Sequence, residues 1–311
     1  TVAFGFELGI SLLFAAIIVP TDPAAVLSLF EAFDVEERLA VTIEGESLLN
    51  DGVAIVVFSS LLATVQATGG SVADLATLRG IAGFALDVTL IGGGGLALGV
   101  AVGYAAHQLV RRLTDTMAVL LTTVVVAYGS FLVAEHALHL SGVLATVGAG
   151  VAMGAHGETH ARMSDPEHTV QEVWTTLSFL VTTVLYVLIG SVTTAAEFVD
   201  NWRFVLTAAV LVVVVRALTI YPLMSSLNLA LDRPVPLRCQ HIMVWGGLHT
   251  VVPVALVLAV PDGIARGLPL ETMVFGVAII SIVVQGLLMP TVLELTGLAD
   301  DDTADRTVRR P

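Results

Sequence analysis

The sequence contains no lysine, a single cysteine and few charged residues. All 13 basic residues are arginine, and against 27 acidic residues they leave a net charge of −14. Such a chain has no basic patch for binding nucleic acid. One cysteine, Cys239, excludes an internal disulfide and a cysteine-based metal site. An acidic, lysine-free surface is typical of halophilic prokaryotes, in which salt screens self-repulsion; biased genome composition is the alternative explanation.

Apolar residues, by contrast, are abundant and fall into long runs. They make up 56% of the 311 residues, only 13% are charged, and the mean hydropathy is +0.92. This pattern predicts an all-α polytopic membrane protein. About nine spanning segments can be placed, at residues 5–29, 39–66, 80–106, 116–138, 141–157, 171–193, 203–227, 238–260 and 271–295.

The first of these segments is interrupted by Pro20-Thr21-Asp22-Pro23. Two prolines remove helical hydrogen bonds, so we expect a broken helix with backbone carbonyls freed at membrane depth. Asp22 either caps the half-helix that follows or contacts an ion directly.

Arginines are unequally distributed between the two sides of the predicted membrane domain, which covers residues 1–298. Nine lie on one side and three on the other, with one more inside a span. The positive-inside rule then predicts a plasma-membrane protein whose C-terminus, with a short polar tail at 299–311, is cytoplasmic. The nine are Arg38, Arg111, Arg112, Arg162, Arg233, Arg238, Arg306, Arg309 and Arg310.

Glycines are concentrated at 92–103, 142–154 and 246–247. In apolar spans such clusters indicate close helix packing. None has the strand–turn–helix context, or the Lys-Ser/Thr that follows, of a nucleotide-binding loop.

The stretch from Glu44 to Gly52 is polar, although apolar residues flank it on both sides. On a helix, Glu46, Ser47, Asn50 and Asp51 fall within roughly 140° of arc. Ionisable residues inside a membrane are costly and are candidates for function.

The charges of this stretch differ in the partners available to them. Arg216 is the only arginine deep in a span, and pairing it with Glu46 neutralises both. Asp51 has no second arginine. With Ser47 and Asn50 as neighbouring oxygen donors, its carboxylate could hold either a proton or a dehydrated monovalent cation.

At these residues the sequence resembles the monovalent cation:proton antiporters of the sodium/hydrogen exchanger type. The resemblance covers almost the whole chain, and its most specific motif is Glu44–Gly52. The other matching segments are 20–26, 134–135 with 141–145, 215–218, 245–248 and 284–287.

The resemblance implies a role for each residue. Asp51 would bind cation and proton alternately, and Ser47 and the backbone carbonyl of Thr21 would help to coordinate the cation. Asn50 stands where electrogenic relatives have aspartate, so exchange would be electroneutral. Glu46 and Arg216 would form the structural ion pair. The family fold has inverted repeats with broken, crossing helices.

Two departures from the family pattern stand out. His249-Thr250 replaces the usual Arg-Gly. Since histidine titrates near neutrality, His249 is expected either to add pH sensitivity or to weaken transport. The family also has about four further helices before the position of Thr1, with much of a homodimer interface and another acidic cation-site residue. We therefore expect an N-terminal truncation.

The leading interpretation is thus a secondary antiporter that exchanges Na⁺ (or K⁺ or Li⁺) for H⁺ in a lipid bilayer. We expect it to need no cofactor and not to be an enzyme. A cation channel would need a continuous polar pore. An intramembrane aspartyl hydrolase using Asp22 and Asp51 lacks the expected sequence contexts. An inactive fragment or structural subunit is the remaining alternative.

Overall fold

The computed structural model is helical over nearly all of its described residues. These are residues 7–298 apart from 34, 36, 69–71, 73–74, 76, 114, 155–164, 193, 232–233, 262 and 265–268. The predicted polar tail at 299–311 lies outside them. The helices are α1 Leu8–Ile18, α2 Ala24–Ala32, α3 Glu37–Thr68, α4 Leu78–Val110, α5 Thr116–Leu132, α6 Gly142–Gly154, α7 Asp165–Val192, α8 Ala195–Asp200, α9 Trp202–Leu227, α10 Leu237–Trp245, α11 Val251–Leu258, α12 Leu270–Ile280 and α13 Leu287–Leu295.

The predicted fold class is confirmed, and most predicted spans agree with single helices. The span predicted at 203–227, for example, is α9, Trp202–Leu227. Among the described residues, six helical stretches are long and apolar enough to cross a membrane, and two shorter apolar helices, α1 and α6, accompany them. The number nine itself stays a prediction.

The chain divides into two compact units. Unit 1 comprises Thr1–Leu13 with Gly52–Tyr186, and unit 2 comprises Phe14–Asp51 with Val187–Pro311. The boundaries between units fall inside α1, α3 and α7, so each of these helices contributes residues to both.

Unit 1 is built on the close packing of α4 against α6, as the glycine clusters predict. A Cβ added at Gly99 would lie 2.7 Å from the carbonyl carbon of Ala145 and closer still to its oxygen. Gly103 meets the backbone of Ala149 in α6 in the same way, and Gly95 meets that of Ser141, directly before α6. In lipid, contact between backbones supplies the packing energy that hydrophobic burial cannot.

Unit 2 contains two interrupted helices. The first break separates α1 from α2, where the two prolines predict it, and the second separates α10 from α11. A core of buried apolar side chains surrounds the α2 and α10 half-helices; it includes Val26, Phe30, Ile242 and Met243. The polar residues of the α3 stretch lie in this unit, up to Asp51.

Candidate functional site

The first helix break consists of Val19 to Pro23, and side chains take over the missing helical hydrogen bonds. In a continuous helix the Val19 carbonyl would accept from the residue four positions on, but that residue is Pro23, which has no N–H. The amide Nδ2 of Asn50 donates to this carbonyl over 2.7 Å instead. The hydroxyl of Ser47 likewise donates to the Thr21 carbonyl. Side chains on adjacent turns of α3 therefore hold the break at Val19 and at Thr21.

The carbonyl between these two, that of Pro20, lies 3.0 Å from Nδ1 of His249. Since a carbonyl oxygen only accepts hydrogen bonds, Nδ1 is the donor. The imidazole is 4% exposed. Three successive carbonyls are thus satisfied by three different side chains.

The Asp51 carboxylate contacts the same break at the backbone amide of Thr21. The N–H of Thr21 donates to Asp51 Oδ1 over 3.0 Å. Thr21 and Ser47 are each 3% exposed, and the Thr21 hydroxyl has no hydrogen-bond partner among the described residues. A carboxylate, two hydroxyls and a carbonyl are therefore gathered at one place. Such hard oxygen ligands suit alkali cations and protons.

The second break, at residues 246–250, lies directly against the first. The N–H of Asp22 donates to the Leu248 carbonyl over 2.7 Å, and the two residues form an isolated antiparallel bridge. The Thr250 hydroxyl donates to Asp22 Oδ2 over 2.8 Å. Asp22, expected to be a helix cap or an ion ligand, thus hydrogen bonds to the opposite break.

Glu46 and Arg216 form a two-pronged ion pair. The guanidinium NH2 lies 2.9 Å from Glu46 Oε2, and NH1 lies 3.3 Å from Oε1. Its third donor, Nε, bonds to the Met243 carbonyl over 3.0 Å. That carbonyl belongs to the last turn of α10, where no further helical N–H is available. Arg216 therefore links α9 both to α3 and to the last turn of α10.

The second break differs from the predicted continuous span at 238–260. Its residues contain no proline, and Gly246-Gly247 was expected to serve helix packing. At Gly247 the missing side chain instead leaves room for Arg216, since an added Cβ would lie 2.5 Å from its Cζ. The polar pair His249-Thr250 inside an apolar run is the signal that could have located this break.

A second interaction supports α10 from the π-helical turn that follows α12. The side chain of Gln285 donates to the Trp245 carbonyl over 3.1 Å, and the Trp245 indole donates to the Gln285 carbonyl over 3.0 Å. Gln285 lies in a π-helical turn, Ser281–Gly286, and is also held by the hydroxyl of Ser281 at 2.6 Å. This reciprocal pair fixes the residue at which α10 ends.

The acidic residue of unit 1 that matches a family motif has a local partner. Glu135 lies in a π-helical turn, Val133–Ala137, and its Oε2 accepts a hydrogen bond from the N–H of Gly142 over 3.0 Å. That N–H is one of the free donors at the start of α6, so Glu135 caps this helix.

These features define a helical membrane protein in which two interrupted helices meet beside a half-buried carboxylate. The solved structure of the sodium proton antiporter MjNhaP1 from Methanocaldococcus jannaschii has the same fold. It matches with a TM-score of 0.71 at 19% identity, over 93% of this chain and 70% of that one.

Sequence comparison gives the family. The model described as "Sodium/hydrogen exchanger, transmembrane" matches residues 1–295. The Na(+)/H(+) antiporter ApNhaP of Aphanothece halophytica is 33% identical over 97% of this chain and 56% of its own length. The Na(+)/H(+) antiporter NhaP of Pseudomonas aeruginosa is 35% identical over 89% and 63%. The chain belongs to the sodium/hydrogen exchanger family, and it spans about half the length of several curated relatives it matches.

Proposed function

We propose that this protein exchanges Na⁺, or another monovalent cation, for H⁺ by competition between the two at Asp51. The observation that carries the proposal is the hydrogen-bonded set of oxygens at the first break, where Ser47 bonds to the Thr21 carbonyl and Thr21 bonds to Asp51. The names of the relatives, which are Na(+)/H(+) antiporters, support it as well.

Two of the ligands proposed for the cation, the Ser47 hydroxyl and the Thr21 carbonyl, bond to each other. Ser47 donates its hydroxyl proton to the Thr21 carbonyl, so both oxygens are satisfied. A cation between them would accept lone pairs from both, and the hydroxyl proton would turn away. The Asp51 carboxylate would supply the negative charge. Protonation of that carboxylate removes the charge and one ligand, so that binding of H⁺ and of the cation exclude each other.

Electroneutral exchange is proposed because Asp51 is the carboxylate of the α3 stretch that bonds to the first break, whereas Glu44 is exposed. Asn50 cannot ionise, and its amide is engaged with the Val19 carbonyl. Glu46 is paired with Arg216. One cation then replaces one proton at Asp51, and a cycle moves no net charge.

The test uses inverted membrane vesicles that contain the protein and a pH-sensitive dye. Addition of Na⁺ should release protons from wild-type vesicles, and Asp51→Asn should abolish the response, since an amide neither ionises nor binds a proton at neutral pH. Asp87→Asn is the matched control, because this exposed aspartate of α4 lies outside the site.

Each result of this assay distinguishes a different mechanism. Normal exchange by Asp51→Asn would refute competition at that carboxylate. A rate that follows an imposed membrane potential would refute electroneutral exchange, and cation flux without proton movement would indicate a channel. A folded wild-type protein without any flux would favour a structural subunit.

The setting of the transporter is proposed on charge and resemblance. The arginine distribution supports insertion in the plasma membrane with a cytoplasmic C-terminus. The resemblance supports a homodimer, and the acidic composition supports a halophilic prokaryotic source.

A further inference from the structure

We propose that His249 is a positioning residue, which acts on Asp51 through a single peptide group. This inference rests on the proposed role of Asp51 as the exchanging carboxylate. It assigns to the imidazole a hydrogen-bonding function that does not depend on its titration.

The peptide bond between Pro20 and Thr21 is the group in question. Its carbonyl oxygen belongs to Pro20 and accepts from His249 Nδ1 at 3.0 Å. Its N–H belongs to Thr21 and donates to Asp51 Oδ1 at 3.0 Å. A peptide group is planar, and in the trans form its C=O and N–H point in opposite directions. His249 therefore holds one edge of the plane and Asp51 the other.

Rotation of this plane would break both hydrogen bonds together. Local helical structure does not resist such a rotation, because α1 ends at Ile18 and α2 begins only at Ala24. Donation to the Pro20 carbonyl also polarises the peptide group, which strengthens Thr21 N–H as a donor to the carboxylate. Loss of the His249 bond should thus weaken the contact with Asp51 and loosen the Thr21 carbonyl, a proposed cation ligand.

The environment of the second ring nitrogen, Nε2, fits the tautomer that carries its proton on Nδ1. Nε2 of His249 is buried and makes no hydrogen bond to any described residue. With the proton on Nδ1, a neutral ring carries only a lone pair at Nε2, so no buried donor is left without an acceptor.

Three substitutions separate positioning from pH sensing. In His249→Asn, the amide NH₂ can take the place of Nδ1–H, whereas in His249→Gln it extends towards the place of Nε2; His249→Ala removes both. One lost hydrogen bond corresponds to a change in affinity of about fivefold to tenfold. We expect the apparent KM for Na⁺ to rise by this factor in the Ala and Gln variants. The Asn variant should stay within about twofold of wild type, with the wild-type pH profile.

The opposite pattern would overturn the proposal. If Asn is as defective as Ala, the hydrogen bond from Nδ1 is not what His249 supplies. If all three variants lose the same part of the pH profile, His249 acts by titration. Amide hydrogen exchange at Thr21 gives a readout that needs no transport, with protection expected in wild type and Asn and lost in Ala and Gln. If Asp51 were not the carboxylate that exchanges cation for proton, the protection pattern at Thr21 would still be expected. The two proposals can therefore fail separately.

A measurement on the unmodified protein covers the case in which the variants do not fold. Nitrogen NMR of protein labelled at its 8 histidines should reveal a ring with a protonated Nδ1 and a bare Nε2. Absence of any such ring would refute the proposed tautomer and with it the positioning role.

Discussion

Replacing Gly247 by alanine should break the ion pair between Arg216 and Glu46 without touching either residue. The new Cβ would lie 2.5 Å from Arg216 Cζ and 2.7 Å from Cδ. Non-bonded carbons prefer about 3.5–4.0 Å, so the guanidinium would have to move by about 1 Å. The φ angle of Gly247 lies outside the left-handed region, and backbone strain therefore adds nothing to the cost.

The size of the effect follows from the bonds that this movement breaks. Arg216 donates at 2.9 and 3.3 Å to Glu46 and at 3.0 Å to the Met243 carbonyl. Removing one partner of a fully buried pair costs about 3–5 kcal/mol. Here both groups remain, and Glu46 is 25% exposed, so water can compensate in part. We expect a loss of about 2–3 kcal/mol in the free energy of unfolding.

The measurement is equilibrium or thermal unfolding of the purified protein in detergent micelles. Gly45→Ala is the matched control: Gly45 adjoins Glu46 in α3, and an added Cβ meets nothing within 4 Å. Alanine favours a helix over glycine by about 1 kcal/mol, so the control should be neutral or stabilising. In an Arg216→Ala background the effect of Gly247→Ala should largely disappear. Equal stability of the Gly247 and Gly45 variants would refute the proposed steric role.

Two further predictions concern the oxygen cluster and the packing of unit 1. Ser47→Ala should raise the apparent KM for Na⁺ in the vesicle assay about tenfold, because it removes one proposed ligand; an unchanged KM would exclude the hydroxyl from the site. Gly99→Ala should lower the unfolding temperature, since its Cβ would overlap the backbone of α6, whereas Gly93→Ala, with nothing within 4 Å, should not. Equal unfolding temperatures would contradict close packing at Gly99.

The spans and the first break could be predicted because their causes are local. A helix that crosses a membrane needs an apolar run of fixed length, and α9 begins and ends within a residue of the predicted limits. Pro20 and Pro23 would each remove a hydrogen bond from the interior of a continuous helix. The polar stretch of α3 likewise follows from sequence spacing alone.

The contacts of the second break could not be predicted in this way because they depend on distant residues. Leu248 pairs with Asp22 across more than two hundred residues, and the bridge exists only because both helices are interrupted at the same place. Gly247 could equally have packed against a helix; only the position of Arg216 distinguishes the two roles. Spacing also cannot assign a donor to each carbonyl, as the partners of Val19 and Pro20 illustrate.

The hydrogen bond from Ser47 to the Thr21 carbonyl has a consequence for rates. To expose both oxygens to an arriving cation, the hydroxyl proton has only to rotate about its C–O bond, and the backbone can stay in place. Rotations of single small groups such as methyls take picoseconds to nanoseconds, whereas collective movements of helices take microseconds to milliseconds. Loading of the proposed site should therefore be fast compared with turnover, and larger rearrangements of the helices should set the speed of exchange.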